Sequence, residues 1–155
     1  MLQRSAGILL FRHGGAGLEI LLVHPGGPFW AKKDEAAWSI PKGLIEADED
    51  PLAAAKREFG EETGGRLAGE ASALGDFKQP GGKIVTAFAV EGDFDLAGFA
   101  SVPFTMEWPP RSGRMAEFPE ADRAGWFTIE EARRKILKGQ VAMLDALLAL
   151  DRRAD

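Results

Sequence analysis

Three glutamates spaced i, i+3 and i+4, Glu58, Glu61 and Glu62, are the residues of this 155-residue chain whose types and spacing best suit chemistry. On an α-helix successive side chains are offset by about 100°, so these carboxylates project from one face within roughly 100° of arc. Like charges so placed destabilise a helix by roughly 0.2–0.5 kcal/mol per pair, and at a C-terminal end the macrodipole disfavours them further. A hard divalent cation offsets both effects, since Mg²⁺ takes oxygen ligands in an octahedron and keeps waters and substrate phosphates in the remaining positions. The same E-x-x-E-E pattern taken alone is also that of a solvated acidic helix edge.

The elements that must position these acids are legible around them. Asp50-Pro51 is a strong helix start, an aspartate capping free amides and a proline suiting the first turn. The helix should run to about Thr63 and end on Gly64-Gly65. Leu52, Ala55 and Phe59 form a stripe displaced about 90° from the carboxylates, so the helix can pack on a core while its acidic edge lines a cleft. Upstream, Ser5 to Phe11 and Leu18 to Val23 read as a hairpin about the turn Gly14-Gly15-Ala16-Gly17. His24-Pro25-Gly26-Gly27-Pro28 stops the second strand and a long loop follows, polar from Lys32 to Ala37 and leading to Trp38-Ser39-Ile40-Pro41-Lys42-Gly43. Downstream, Lys83 to Val90, Val102 to Trp108 and Ala124 to Phe127 are strand candidates. Pro80-Gly81-Gly82 reads as a hairpin turn. Thr128 opens a capping box with Glu131 ahead of a helix over Ile129 to Leu137, and Gln140 to Leu150 forms an apolar terminal helix. A mixed or antiparallel sheet with helices, an α/β fold in one domain over residues 1–155, is expected.

Composition narrows the chemistry. The apolar fraction of 45% and charged fraction of 28% are those of ordinary globular domains. With no cysteine, thiolate metal sites, disulfides and cysteine nucleophiles are excluded. The apolar run before Arg12 and His13 is too short for a signal-peptide core or a membrane span, so cytoplasmic residence is expected. A net charge of -5 without a basic tail argues against long nucleic acids as partners. No G-x-S-x-G elbow and no P-loop lysine is present, and His13 and His24 lie near turns without neighbouring acids.

From Gly43 the chain reads glycine, five residues, Glu49, seven residues, then Arg57-Glu58-Phe59-Gly60-Glu61-Glu62-Thr63-Gly64. This resembles the Nudix box, G-x5-E-x7-R-E-U-x-E-E-x-G-U, with every invariant position filled. One position departs: Gly65 stands where the family usually has an aliphatic residue. The preceding Trp38 to Gly43 resembles the W-x-x-P-K-G sequence common in the same family.

The resemblance implies a Nudix-type α/β/α sandwich with a mixed central β-sheet, and hydrolysis of a nucleoside diphosphate linked to another moiety. It implies that Gly43, Glu58, Glu61 and Glu62 bind Mg²⁺ or Mn²⁺. Arg57 would orient Glu58, and Glu49 would pin the loop through Arg57. A further carboxylate is expected from the loop before Trp126-Phe127, with Glu120 better spaced than Glu117. Phosphate oxygens need cations, for which Lys42 and Lys83 are the first choices beside Lys78, Arg111 and Arg114, and a base could stack on Trp108, Trp30 or Phe104. Nucleoside triphosphates or dinucleoside polyphosphates are the favoured substrates. ADP-ribose or a nucleotide sugar, or a nucleotide-sensing module without turnover, are the alternatives, and a homodimer stays open.

Overall fold

The apolar runs of the first two strands are too continuous to face water on either side, and they form the middle of a sheet with helices on both faces. The computed structural model describes residues 3–15 and 17–154, with side chains described as far as Asp151; Ala16, within the expected turn, lies outside the described residues. β1 (Arg4–Gly14) pairs antiparallel with β2 (Gly17–Pro25) through Phe11↔Ile20 and neighbouring pairs. Its other end pairs with the short β3 (Lys42–Leu44), Ser5 facing Leu44. β4 (Ala71–Lys78) and β5 (Ile84–Glu91) form a hairpin across Pro80–Gly82, and β5 runs parallel to β1. β8 (Ala121–Thr128) completes the mixed sheet beside β2, in the order β4-β5-β1-β2-β8 with β3 attached to β1.

Alternation along the strands sorts the core into two layers. Ala6, Ile8, Leu10 and Leu21 meet Ala54, Ala55 and Phe59 of α1 (Pro51–Thr63) on one face. Leu9, Ile20 and Leu22 meet Ala132 of α2 (Ile129–Lys135) and Met143, Leu144 and Leu147 of α3 (Val141–Ala154) on the other. The expected α/β/α sandwich is therefore the observed one. Among the described residues no helix is long and apolar enough to cross a membrane.

Local chemistry sets the helix ends. Asp50 accepts from the Ala53 amide at 3.2 Å with Pro51 in the first turn, and Gly64 closes α1 in the left-handed conformation at φ 79°. The expected Thr128–Glu131 capping box is present in both directions.

Three strands were not expected. β3 is only three residues long, β4 carries Gly75 at a register shift and does not alternate cleanly, and β7 (Met115–Pro119) pairs only with β6 (Pro103–Glu107) in a separate two-stranded arm. Segment 102–108 thus lies outside the central sheet. The long loop after β2 ends inside the core, where Ala37, Trp38 and Ile40 are buried. Its backbone is satisfied there by partners distant in sequence: Trp38 donates to the Lys135 carbonyl at 2.8 Å, and the Ile40 amide donates to buried Gln140 at 3.1 Å.

Candidate functional site

α1 lies against β1 and β3, which brings the Lys42-Gly43-Leu44 backbone alongside the acidic edge of the helix. Gly43 is required by this approach, because a Cβ there would run into the Glu58 carboxylate. The Lys42 amide donates to Glu62 Oε2 at 3.2 Å, tying the end of the helix to the strand.

Arg57 uses its whole guanidinium. Nε and Nη2 grip the two Glu49 oxygens, each at 2.9 Å, while Nη1 reaches Glu58 Oε1 at 2.8 Å and Glu61 Oε2 at 3.3 Å. Nη2 also donates to the Leu44 carbonyl at 3.0 Å. One side chain therefore joins the loop before the helix, the strand and the first two acids of the cluster. The charge-assisted fork holds the Glu49 carboxyl down to about 2, and those carboxylates raise Arg57 further above the neutral range.

Glu62 stands in the opposite condition. Burial pushes its carboxyl up to about 8, against the pull of Lys42, and the nearby charges of Glu58 and Glu120 push the same way. Glu58 is also raised, by burial first, despite its contact with Arg57. The cavity here, about 250 Å³, is lined by Lys42, Glu62 and Glu120, with Trp30 and Leu137 among its apolar walls. The structure thus brings Glu120 to the cluster, whereas Glu117 points from the exposed face of β7.

Among the described residues no three acid or histidine side chains are already converged as a metal cage, and Arg57 bridges Glu49, Glu58 and Glu61. The donor set nevertheless fits a hard divalent ion. It offers only oxygen, it concentrates carboxylates whose burial favours protonation, and a cation would relieve both.

Beyond Lys42 lies a second cavity of about 500 Å³, lined by Lys42, Lys83 and Lys138 with Pro80, Val85 and Leu137 and by no acid. Gln79 Nε2 donates to the Gly139 carbonyl at 2.8 Å and so joins the two walls, the β4–β5 turn and the segment between α2 and α3. Lys138 was not singled out in the sequence, because only the fold carries it to Lys83. A larger cavity of about 670 Å³ lies elsewhere, lined by Phe11, Glu70, Glu91 and Asp151, without a cation for phosphate. Trp108 is not at the carboxylate cavity; it sits on the arm, edge-on to Phe29 with ring centroids 5.4 Å apart.

The two histidines correct the sequence reading. Buried His24 meets Asp122 at 2.9 Å, and His13 meets Glu91 at 3.3 Å and Asp151 at 3.2 Å, acids 98, 78 and 138 residues away along the chain. The departure at Gly65 also has a cause. Phe94 fills the space beside Phe59, and a Cβ on residue 65 would stand 2.5 Å from the Phe94 ring.

A family model of the NUDIX domain matches residues 1–147. The RNA pyrophosphohydrolase of Bartonella henselae is 30% identical over an alignment of 141 residues, covering 83% of this chain and 77% of that one. Among solved structures, a C. elegans Ap4A hydrolase binary complex superposes with a TM-score of 0.66 at 21% identity, over 98% of this chain and 99% of that chain. The NUDIX domain of Shewanella oneidensis NrtR complexed with ADP ribose gives a TM-score of 0.66 at 14% identity, over 99% and 89%. The two structures share this fold.

Proposed function

The chain belongs to the NUDIX family and is a pyrophosphohydrolase, and from that premise we propose that Glu58, Glu61 and Glu62, with the Gly43 backbone, hold Mg²⁺ or Mn²⁺ for the hydrolysis of a nucleoside polyphosphate. The observation that carries this reading is the placement of Glu62, which accepts from the Lys42 amide at 3.2 Å and lines one cavity with Glu120, at the end of the helix that also carries Glu58 and Glu61. When bound, the cation lowers the pKa of a coordinated water and offsets charge on the phosphate oxygens.

Arg57 fixes Glu58 and ties Glu61 to Glu49, so two acids are held before substrate arrives. Lys42 and Lys83, joined by Lys138, take phosphate oxygens not held by the cation, and the aliphatic walls between them take the nucleoside. Water adds to one phosphorus, the bridging P–O bond breaks, and the bridging oxygen leaves with the second phosphate. A carboxylate accepts the water's proton, and Glu120, facing the cluster from β8's end, is our choice for it. The same proposal treats residues 1–155 as one functional domain working in the cytoplasm.

Substrates are tested by a panel of nucleoside triphosphates, dinucleoside polyphosphates, ADP-ribose and 5′-triphosphorylated RNA, the last prompted by the Bartonella relative's name. Product release should require Mg²⁺ or Mn²⁺ and should vanish in the Glu61→Gln, Glu62→Gln double variant. Wild-type turnover by that variant would refute the assignment of these ligands.

A further inference from the structure

The run His24-Pro25-Gly26-Gly27-Pro28 does more than stop β2. Along the β2–β8 ladder Arg123 faces His24 but Ala121 faces Pro25, so Asp122 is an extra residue, a β-bulge. Just ahead of it, Glu120 is the single residue between β7 and β8. In an unbroken ladder Asp122 would face Pro25 and Ala121 would face Gly26, and every side chain ahead of that point would turn to the other face. The bulge therefore decides the direction in which the chain delivers Glu120. Backbone contacts fix the place. The Glu120 carbonyl accepts from the Gly26 amide at 3.0 Å, its amide donates to the Val102 carbonyl at 2.9 Å, and the Val102 amide donates to the Glu61 carbonyl at 2.9 Å. Glu120 is thus tied to the end of β2 and, through one residue, to the helix that carries the acid cluster. Gly26 admits no side chain here, since a Cβ would run into the Pro119 carbonyl.

His24 holds the bulge. Its ring is fully buried, edge-on to Trp38 with ring centroids 5.2 Å apart. Nδ1 meets Asp122 Oδ1 at 2.9 Å, and Nε2 donates to the Lys33 carbonyl at 2.5 Å. The Lys33 amide in turn donates to the Trp30 carbonyl at 2.9 Å, and Trp30 and Glu120 line the same carboxylate cavity. One buried ring therefore joins the bulge behind Glu120 to the turn that carries another wall of that cavity. Bulges are enriched beside functional sites because they re-aim a side chain, and a buried imidazole bonded at both nitrogens keeps this one in a single arrangement.

We propose that Asp122, gripped by His24, is a positioning residue: the bulge it forms sets Glu120 in its place beside Glu62 in the carboxylate cavity. Asp122 acts through Glu120 and takes no part in the proton transfer itself. A reacting group displaced by about 1 Å loses on the order of 100-fold in rate, so the orientation of one bulge reaches the chemistry. The proposal rests on the reading of Glu120 as the group that accepts the water's proton.

Turnover is read on whichever member of the substrate panel the wild type hydrolyses fastest. Asp122→Ala should lower kcat by roughly 10–100-fold and change KM by less than about twofold. Asp122→Asn, whose carboxamide still bonds to the His24 ring, should recover most of that loss. His24→Gln, which keeps a donor for the Lys33 carbonyl but drops the Asp122 contact, should behave like Asp122→Ala. In a Glu120→Gln background Asp122→Ala should cost less than about twofold, because an effect that runs through the Glu120 carboxylate is already absent there. An unchanged kcat in Asp122→Ala, or an equal loss with and without the Glu120 carboxylate, would overturn the positioning role. The ¹³C resonance of the Glu120 carboxyl, assigned by its disappearance in Glu120→Gln, separates this proposal from the reading beneath it. Wild-type turnover in Glu120→Gln removes Glu120 as proton acceptor, and the resonance then decides on the bulge alone. A signal that moves in Asp122→Ala and returns in Asp122→Asn supports the bulge as the device that places Glu120, and a signal that stays where it was sinks it.

Discussion

Arg57 and Glu62 lie five residues apart on α1 and occupy opposite electrostatic conditions. At Arg57 every guanidinium nitrogen has an acceptor, and Glu49 and Glu58 are matched to it. At Glu62 the closest polar partner is one backbone amide, and the surrounding charges include two more glutamates. The first region is complete as a clamp between loop, strand and helix. The second is incomplete as it stands, and an added cation completes it. A run of acids on one helix therefore contains two kinds of residue, and what each faces separates them.

The largest expected effect breaks the incomplete side. Glu62→Gln should reduce hydrolysis by roughly 10³-fold or more, as loss of a charged group acting in the transition state does, and should abolish saturable Mn²⁺ binding measured by calorimetry. Activity within a factor of a few of wild type would remove Glu62 from the site. Breaking the clamp should cost less activity and more stability. Arg57→Ala leaves Glu49, Glu58, Glu61 and the Leu44 carbonyl without their shared donor, so kcat/KM should fall roughly 10–100-fold together with a lower Tm. Arg57→Lys should restore little, because an ammonium cannot form the bidentate fork on Glu49.

The helix end next to Glu62 offers a steric test. Gly65→Leu restores the family's usual residue type but drives a side chain into Phe94, and should destabilise by about 1–3 kcal/mol as overpacking does. Adding Phe94→Ala should recover part of that loss in chemical denaturation. Equal destabilisation with and without Phe94 would show that the two residues do not compete for one space.

The smallest effect is a pair of opposite pH slopes in the metal-free protein. Glu62 is raised from an ordinary value of about 4.3 to about 8 in the fold, so the folded state holds the extra proton and stability falls as pH rises between those values. Glu49 is lowered to about 2, so its contribution is complete above the ordinary carboxyl value and is lost as pH falls through about 2. Thermal melts should show Glu62→Gln flattening the limb up to pH 8 and Glu49→Gln flattening the acid limb. If both variants changed the same limb, the contrast between the two regions would be wrong. Metal binding requires the Glu62 carboxylate, so apparent Mg²⁺ affinity should rise with pH up to about 8.

The sequence by itself determined α1, its caps and the common face of Glu58, Glu61 and Glu62, because helical spacing and capping are local and need no distant partner. The β1–β2 hairpin and the Thr128–Glu131 box were legible for the same reason, from turn and capping residues, whereas the α/β/α class came from the family resemblance. Only the tertiary structure decided what the acids face. Glu120, already better spaced than Glu117 in the sequence, lines the carboxylate cavity because β8 begins there beside β2, and Lys138 reaches Lys83 because Gln79 ties two distant segments together. Trp108 stands apart from the carboxylates because residues 103–119 leave the central sheet to pair with each other, and His24 finds Asp122 across 98 residues. Burial and charge environment are sums over neighbours brought from the whole chain: of the groups that raise the Glu62 carboxyl only Glu58 is near in sequence, while Glu120 lies far along the chain and the burial is made by the fold.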